Sequence, residues 1–379
     1  MNDLKPTITE RRRQTRNRMY RFIYESDVPV NKHQLAAEMG YSLPTVHQNI
    51  AELLDAGFIR PGEVQKSTGG RPAVGYVVNG NVKYAVGISV SSTQIRMLVL
   101  NICMEELAYT EILTDAGSSD EIGDRIAQEL ETFLEQHGID RKKILGVGIT
   151  FPGVIDSKRD RIVLSPTLRM KNLSLARVRE AIPYPLFIEN DSTSGASAEW
   201  RGLSEPERAG DAVFLFLENG IGGAVFIDGR PFSGQERRSG EFGHMCIVPD
   251  GRRCSCGKRG CLEAYTSAMR ITGDLGIGAE EFFEGLLSGN TAYAERWEEL
   301  LGYLAVGINN LRMAFNTRVI LGGLISGYLE PYLPELRRKA AEKNTFDESG
   351  DYISLGKYPT KAGMMGVAWY FAERFIREI

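Results

Sequence analysis

Between Gly240 and Glu263 the chain gathers four of its five cysteines and one of its four histidines. Thiolate and imidazole are the ligands zinc prefers, and a structural zinc takes four of them in a tetrahedron. His244, Cys254, Cys256 and Cys261 make one such set, so one structural Zn2+ per chain is expected. Cys246 is a spare thiol, and on spacing alone either Cys246 or His244 is the odd one out. Gly251, Gly257 and Gly260 let the backbone turn tightly enough to aim neighbouring thiols at one ion. The competing use is a cluster of free thiols packed as small hydrophobes. Glu241 and Glu263 bracket the loop. Two acids and an imidazole on a pinned loop suit a hydroxyl-rich ligand, although solvated surface acids would have the same composition.

A chain of 379 residues accommodates two or three domains, and 42% hydrophobic with 25% charged residues is ordinary for a globular protein. The net charge of −4 is unevenly spread. Residues 1–80 carry 11 Lys and Arg against 8 Asp and Glu, and the rest carries 34 against 41. A mildly basic head on an acidic body points to an anionic partner for the head alone. With three or four of the thiols on a metal, the cysteines suit a reducing cytoplasm better than a disulfide framework. The start has no apolar leader and no run of about 20 apolar residues occurs, so a cytoplasmic location is expected, with neither export nor a membrane span.

Residues 8–25 read as a basic helix with Met19, Phe22 and Ile23 on its apolar face. Asn31 caps a second helix carrying Leu35, Ala36 and Met39, and Gly40 supplies a tight turn. Ser42 caps a third, with Pro44 in its first turn, where a missing N–H costs nothing. Val46, Ile50, Leu53 and Leu54 share one face of that helix, which leaves Thr45, His47 and Gln48 for base edges. This is a helix-turn-helix pattern. Residues 58–60 and 73–78 read as two strands of a wing, with a polar, glycine-rich tip between them. Lys66 and Arg71 in that tip suit phosphates or a minor groove. A winged helix that binds protein is the alternative.

From residue 83 the pattern is α/β. Residues 84–90 and 95–100 form a hairpin, 119–137 a helix, and 144–150 a strand. A strand at 186–189 ends in Asn190-Asp191, the usual address of a ligand in an α/β sheet, and a helix follows. The pattern then restarts, with strand 212–217, a glycine turn at Gly220-Ile221-Gly222-Gly223 and a return strand 224–227. Helix 301–315, strand 319–321 and helix 363–379 complete it. Two such units imply two lobes and a cleft. A glycine turn facing that cleft could cradle phosphate, or serve as a plain hairpin.

These pieces together resemble the ROK family, which groups repressors, open reading frames and sugar kinases, over nearly the whole chain. The family's zinc signature is a His, nine residues, then Cys-x-Cys-Gly-x-x-Gly-Cys-x-Glu. It is matched by His244, Cys254, Cys256, Gly257, Gly260, Cys261 and Glu263, which leaves Cys246 outside. Thr68-Gly69-Gly70-Arg71-Pro72 resembles the junction between wing and body in the family's repressors. The resemblance implies an actin-like, sugar-kinase-like body behind a winged helix-turn-helix. The expected divisions are a DNA-binding domain at 1–82, a first lobe at 83–198 closed by a C-terminal helix at 355–379, and a second lobe at 199–354 with the zinc loop. It further implies that Asn190, Asp191, Glu241, His244 and Glu263 surround a sugar, with Asp191 as general base if any phosphoryl transfer occurs. One departure stands out. Family kinases carry Asp-x-Gly-Gly-Thr in the first hairpin, and here the run is Ser89-Val90-Ser91-Ser92-Thr93. Losing the metal-side carboxylate and crowding the loop removes what γ-phosphoryl transfer relies on.

The expectation is therefore a sugar-responsive transcriptional regulator without catalytic residues. It would repress carbohydrate genes by binding a double-stranded DNA operator as a homodimer or tetramer, with a sugar or sugar phosphate as effector. The rivals are an ATP-dependent sugar kinase with a regulatory head, and a regulator that senses a phosphotransferase-system protein.

Overall fold

The computed structural model describes residues 8–64, 74–113, 122–156, 160–235 and 239–379. The head begins with α1 (Ile8–Tyr24), α2 (Lys32–Met39) and α3 (Leu43–Asp55). Asn31 closes a capping box with Gln34 at the start of α2, and Gly40 ends that helix at φ +69°. Ser42 caps α3, with Pro44 in its first turn. β1 (Ile59–Val64) pairs antiparallel with β2 (Val74–Val78), the two strands of the expected wing. The tip between them, with Lys66 and Arg71, lies outside the described residues.

The body repeats one topology twice. In the first unit β3 (Tyr84–Val90), β4 (Gln94–Asn101) and β5 (Glu106–Leu113) form an antiparallel meander. α4 (Ile122–Gln136) then leads to β6 (Ile144–Phe151), parallel to β3. A small sheet follows, of β7 (Val154–Asp156), β8 (Arg161–Ser165) and β9 (Met170–Ser174). α5 (Ala176–Ala181) leads to β10 (Leu186–Asn190), parallel to β6, and to α6 (Asp191–Gly202). After the short α7 (Glu205–Arg208) comes the second meander, β11 (Ala212–Leu217), β12 (Ile221–Ile227) and β13 (Arg230–Phe232). The thiol loop, α8 (Glu263–Thr266), α9 (Ala279–Leu287) and the long α10 (Thr291–Phe315) precede β14 (Arg318–Gly322), parallel to β11. α11 (Leu333–Ala341), β15 (Ile353–Leu355) and α12 (Ala362–Glu378) finish the unit. The two sheets, β10-β6-β3-β4-β5 and β15-β14-β11-β12-β13, match strand for strand. The boundaries expected at 198/199 and 354/355 fall inside α6 and β15. Helices that close each unit also cover its neighbour, so the chain has no clean cut there.

α12 is the element where these parts meet. It lies on the first sheet, and strand glycines make room for it. A Cβ at Gly87 would sit 2.2 Å from the Met364 carbonyl oxygen, and one at Gly148 would sit 2.4 Å from Val367. Its flank meets α6 almost backbone to backbone. Ser194 Oγ donates to Gly363 O at 2.7 Å, and a Cβ at Gly366 would fall 1.9 Å from Ser194 O. Buried Glu199 of α6 accepts the N–H groups of Lys357 and Tyr358 at 2.6 and 2.8 Å, which anchors the approach to α12. The far end of α12 enters the head. Ile376, Ile379 and Ile102 share one buried cluster with Met19, Tyr20, Ile23, Ile50 and Leu53. Phe58 meets Phe375 edge-on at 5.6 Å, and Asn17 Nδ2 donates to Arg377 O at 3.1 Å. The winged helix is built into the body rather than tethered to it.

Ile376→Ala should therefore destabilise the chain by about 2–4 kcal/mol and lower amide protection in α1 ahead of the two sheets. Denaturant unfolding and hydrogen exchange check this, and native-like protection in α1 would contradict the shared core.

Candidate functional site

A cleft of about 290 Å³ lies between the two units, at the small end of pockets that take small molecules. Its floor is where β10 turns into α6. Asn190 caps α6 by accepting from Thr193 N at 2.9 Å, while its Nδ2 donates to Gly153 O at 2.9 Å and Asp191 Oδ1 at 3.1 Å. The amide expected to meet a sugar thus also holds Asp191 and the start of α6 in place. Asp191 Oδ1 accepts from Ser192 N at 2.8 Å and from Ser192 Oγ at 3.4 Å. Among the described residues every bond to this carboxylate falls on Oδ1, which leaves Oδ2 with capacity for a hydroxyl.

Asp191 sits in a poor place for charge. Burial lifts its carboxyl to about 6, the Glu241 carboxylate adds to that, and the Ser192 hydrogen bonds and Arg96 oppose it. At neutral pH it is mostly ionised, able to accept a hydrogen bond or a proton.

The opposite wall comes from the second unit. Glu263 Oε2 accepts from Ile221 N at 3.1 Å, and its Oε1 accepts from Ser255 Oγ at 2.5 Å and Cys254 Sγ at 3.5 Å. It ties the thiol loop to the β11–β12 hairpin. Glu241 is exposed at the rim, with Oε2 3.9 Å from His244 Nε2. The other nitrogen of His244, Nδ1, lies 3.7 Å from Cys254 Sγ. The ring therefore has one nitrogen toward the thiols and the other toward Glu241.

His244, Cys254, Cys256 and Cys261 hold their ligand atoms within 4.8 Å of one another. Cys256 Sγ and Cys261 Sγ are 3.8 Å apart. A tetrahedron with Zn–S of about 2.3 Å has S···S edges of about 3.8 Å, so the set fits a metal such as zinc. Cys246 is exposed and outside this cluster, which His244 joins. Burial pushes the Cys254 thiol up to about 12, and a bound divalent cation would reverse that.

The glycine turn is reassigned. The turn itself is Glu218-Asn219-Gly220, and Gly222 and Gly223 lie within β12. A Cβ at Gly222 would come 1.8 Å from Ser192 Oγ, and one at Gly223 would come 2.4 Å from the Phe242 ring. These glycines let α6 and Phe242 approach the strand, and no phosphate cradle is needed to explain them. In the first hairpin, Ser91 Oγ accepts the N–H groups of Gln94 and Thr93 at 3.1 and 3.4 Å. A side chain thereby consumes donors that a phosphate-binding turn would present to its ligand.

On the head, His47 and Gln48 are exposed along α3. Thr45 is only half-exposed, and its hydroxyl is bonded to Ser42 Oγ at 2.8 Å. Lys32 joins this face, with Nζ 3.1 Å from His47 Nδ1. Sequence reasoning missed it, along with Arg96 and Glu218 in the cleft. For the last two, only their meeting in space gives a signal.

Residues 85–374 match the ROK family. The chain is 25% identical to the xylose repressor of Bacillus subtilis (strain 168) over 356 residues, covering 89% of this chain and 91% of that one. It is 24% identical over 245 residues to the DNA-binding transcriptional dual regulator NagC of Escherichia coli (strain K12), covering 64% and 60% of the two chains. Among solved structures, a ROK family transcriptional regulator homologous to the E. coli MLC protein superposes with a TM-score of 0.73 at 23% identity, covering 97% of each chain. A ROK family glucokinase from Streptomyces griseus, in complex with glucose and AMPPNP, superposes with a TM-score of 0.65 at 23% identity, covering 75% of this chain and 98% of that one. At such identities the structural likenesses speak to the fold.

Two outcomes follow from the site. Folding raises the Asp191 carboxyl, so the stabilisation from its bound proton is present below 3.8 and lost as pH rises through about 6. At pH 7.5 Asp191→Asn should stabilise the fold by about 1–2 kcal/mol, less than the full conversion because the carboxyl faces an open cleft. At pH 3.5 it should change little. Thermal unfolding at both values checks this, and no gain at pH 7.5 contradicts it. Elemental analysis of the purified chain should find one zinc per chain, and the C256S/C261S variant should lose it; retention in the variant would contradict the ligand set.

Proposed function

The chain belongs to the ROK family, and on that footing we propose that it is a sugar-responsive, DNA-binding transcriptional regulator that represses genes of carbohydrate uptake or catabolism. One observation carries this reading: a helix-turn-helix head shares its core with the far end of α12, whose first turn lines the carboxylate cleft. A signal in the cleft has a short, packed route to the head. The xylose repressor similarity, along nearly the whole of both chains, supports the same reading.

In the proposed mechanism a sugar bridges the two walls. Its hydroxyls donate to Asp191 Oδ2 from the first unit and to Glu241 and Glu263 from the second, near the cleft-facing nitrogen of His244. Asn190 positions Asp191. Drawing the walls together moves α6 against α12, and α12 moves the head with it. The sugar biases that equilibrium only by its different affinity for the two arrangements. His244, Cys254, Cys256 and Cys261 would hold Zn2+, which when bound keeps the thiols ionised and cross-links the loop that carries Glu241 and Glu263. Exposed His47 and Gln48 read base edges, with Thr45, Lys66 and Arg71 as further DNA contacts. A two-fold operator requires two heads, hence a homodimer or tetramer.

Asp191 favours a second reading, a sugar kinase, since a buried, mostly ionised carboxylate is what a general base needs. Against it stand the missing carboxylate at Ser89 and the donors that Ser91 occupies. Sugar-dependent release of ADP from Mg-ATP would establish the kinase.

Capture and sequencing of genomic DNA fragments on the purified chain, with and without a panel of sugars, tests the proposal. A two-fold symmetric site beside sugar-transport or catabolic genes, released by one sugar, is expected. Absence of any specific fragment at low salt would contradict it. Specific fragments indifferent to every sugar would replace the small-molecule effector with a partner protein.

A further inference from the structure

Glu218 has no part in the mechanism above, yet it occupies the cleft at the tip of the β11–β12 hairpin. Its backbone closes the turn, with N donating to Gly220 O at 3.1 Å and O accepting from Ala268 N at 2.8 Å. Its side chain is braced from β14's end of the sheet, where Leu324 N donates to Oε1 at 3.2 Å. The carboxylate is therefore held in position. It lines the same cleft as Asp191 and Arg96, where Asp191 disfavours its charge and Arg96 favours it. Arg96 comes from β4, on the other side of the cleft. Its Nη1 donates to Thr360 O at 3.1 Å, and its buried Nε–H has no acceptor among the described residues.

We propose that Glu218 is a specificity-determining residue which, with Arg96 and Asp191, makes one end of the cleft fit a free hydroxyl and exclude a phosphate ester. This rests on the sugar-effector reading and narrows it to an unphosphorylated sugar. A hydroxyl is both donor and acceptor, so it can give its proton to a carboxylate at this end of the cleft. A phosphate adds negative charge at an end of the cleft that Glu218 and Asp191 already line. One arginine, already committed through Nη1, cannot offset both. The site resists negative charge even when empty of ligand: burial lifts the Glu218 carboxyl to about 7, and Asp191 adds to the rise. A second anion at this end would meet the same lack of solvation.

Isothermal calorimetry on the full chain tests the assignment with three pairs: D-xylose and its 5-phosphate, D-glucose and its 6-phosphate, and N-acetyl-D-glucosamine and its 6-phosphate. The native chain should bind a free sugar at least about 100-fold more tightly than its phosphate. E218Q, which keeps the size of the side chain and the Leu324 bond but not the charge, should shrink that ratio by about tenfold or more. A phosphate bound as tightly as its free sugar, or a ratio unchanged in E218Q, overturns the role of Glu218 while leaving a sugar-responsive regulator intact. The native-chain ratio decides this even if E218Q fails to fold. Binding of none of the six would instead overturn the sugar-effector reading, and this assignment with it.

Discussion

The near-contact of two helix backbones, α6 and α12, organises this molecule. Gly366 lies against the Ser194 carbonyl with no room for a side chain, and Ser194 Oγ bonds Gly363 O. A contact made by soft side chains can absorb a small displacement by changing rotamers. A contact between backbones cannot, because packed interiors transmit strain rather than dissipate it. α6 starts at Asp191, in the cleft, and α12 ends among the head residues Met19, Tyr20 and Ile50. At 17 residues α12 spans about 25 Å, so one rigid helix covers the distance. The duplicated topology explains why the helices meet at all, since each is the last element of its unit.

The cleft is costly to build. Asp191 and Glu218 are both held above the ordinary carboxylate range by burial and by neighbouring acids, with Arg96 as partial relief. Such charge lowers stability, and functional sites commonly bear that cost. The thiol loop shapes the opposite wall. Glu263 is fixed at both oxygens, one on the loop and one on the hairpin, so the wall does not depend on the ligand for its shape.

Local chemistry made much of this legible in advance. Asn31 and Ser42 announce their helices through capping, and the spacing from His244 to Glu263 announces the thiol cluster. The repeat of strand and helix periods gave the two units. What stayed hidden has physical causes. β5 and β9 are short or largely exposed and carry a weak alternation, so neither reads as a strand. Gly222 and Gly223 look like a turn because Gly permits one, but their use is close packing against Ser192 and Phe242, which no local rule reveals. That Asn190 also bonds Gly153, Thr193 and Asp191 is equally invisible, because its type says only that it suits a polar partner. The head's docking on Ile102, Ile376 and Ile379 joins residues far apart in the chain, and so does the cleft lining that holds both Glu218 and Arg96.

The central claim is that the cleft and the head are energetically coupled through α12. Linkage makes this directly measurable: if a sugar weakens DNA binding by some factor, DNA must weaken sugar binding by the same factor. The decisive measurement is the sugar's Kd on the free chain and on the chain saturated with its operator. The account predicts weaker sugar binding on DNA, by the factor with which that sugar lowers operator affinity. Identical sugar affinity in the two states would show that the cleft and the head do not communicate.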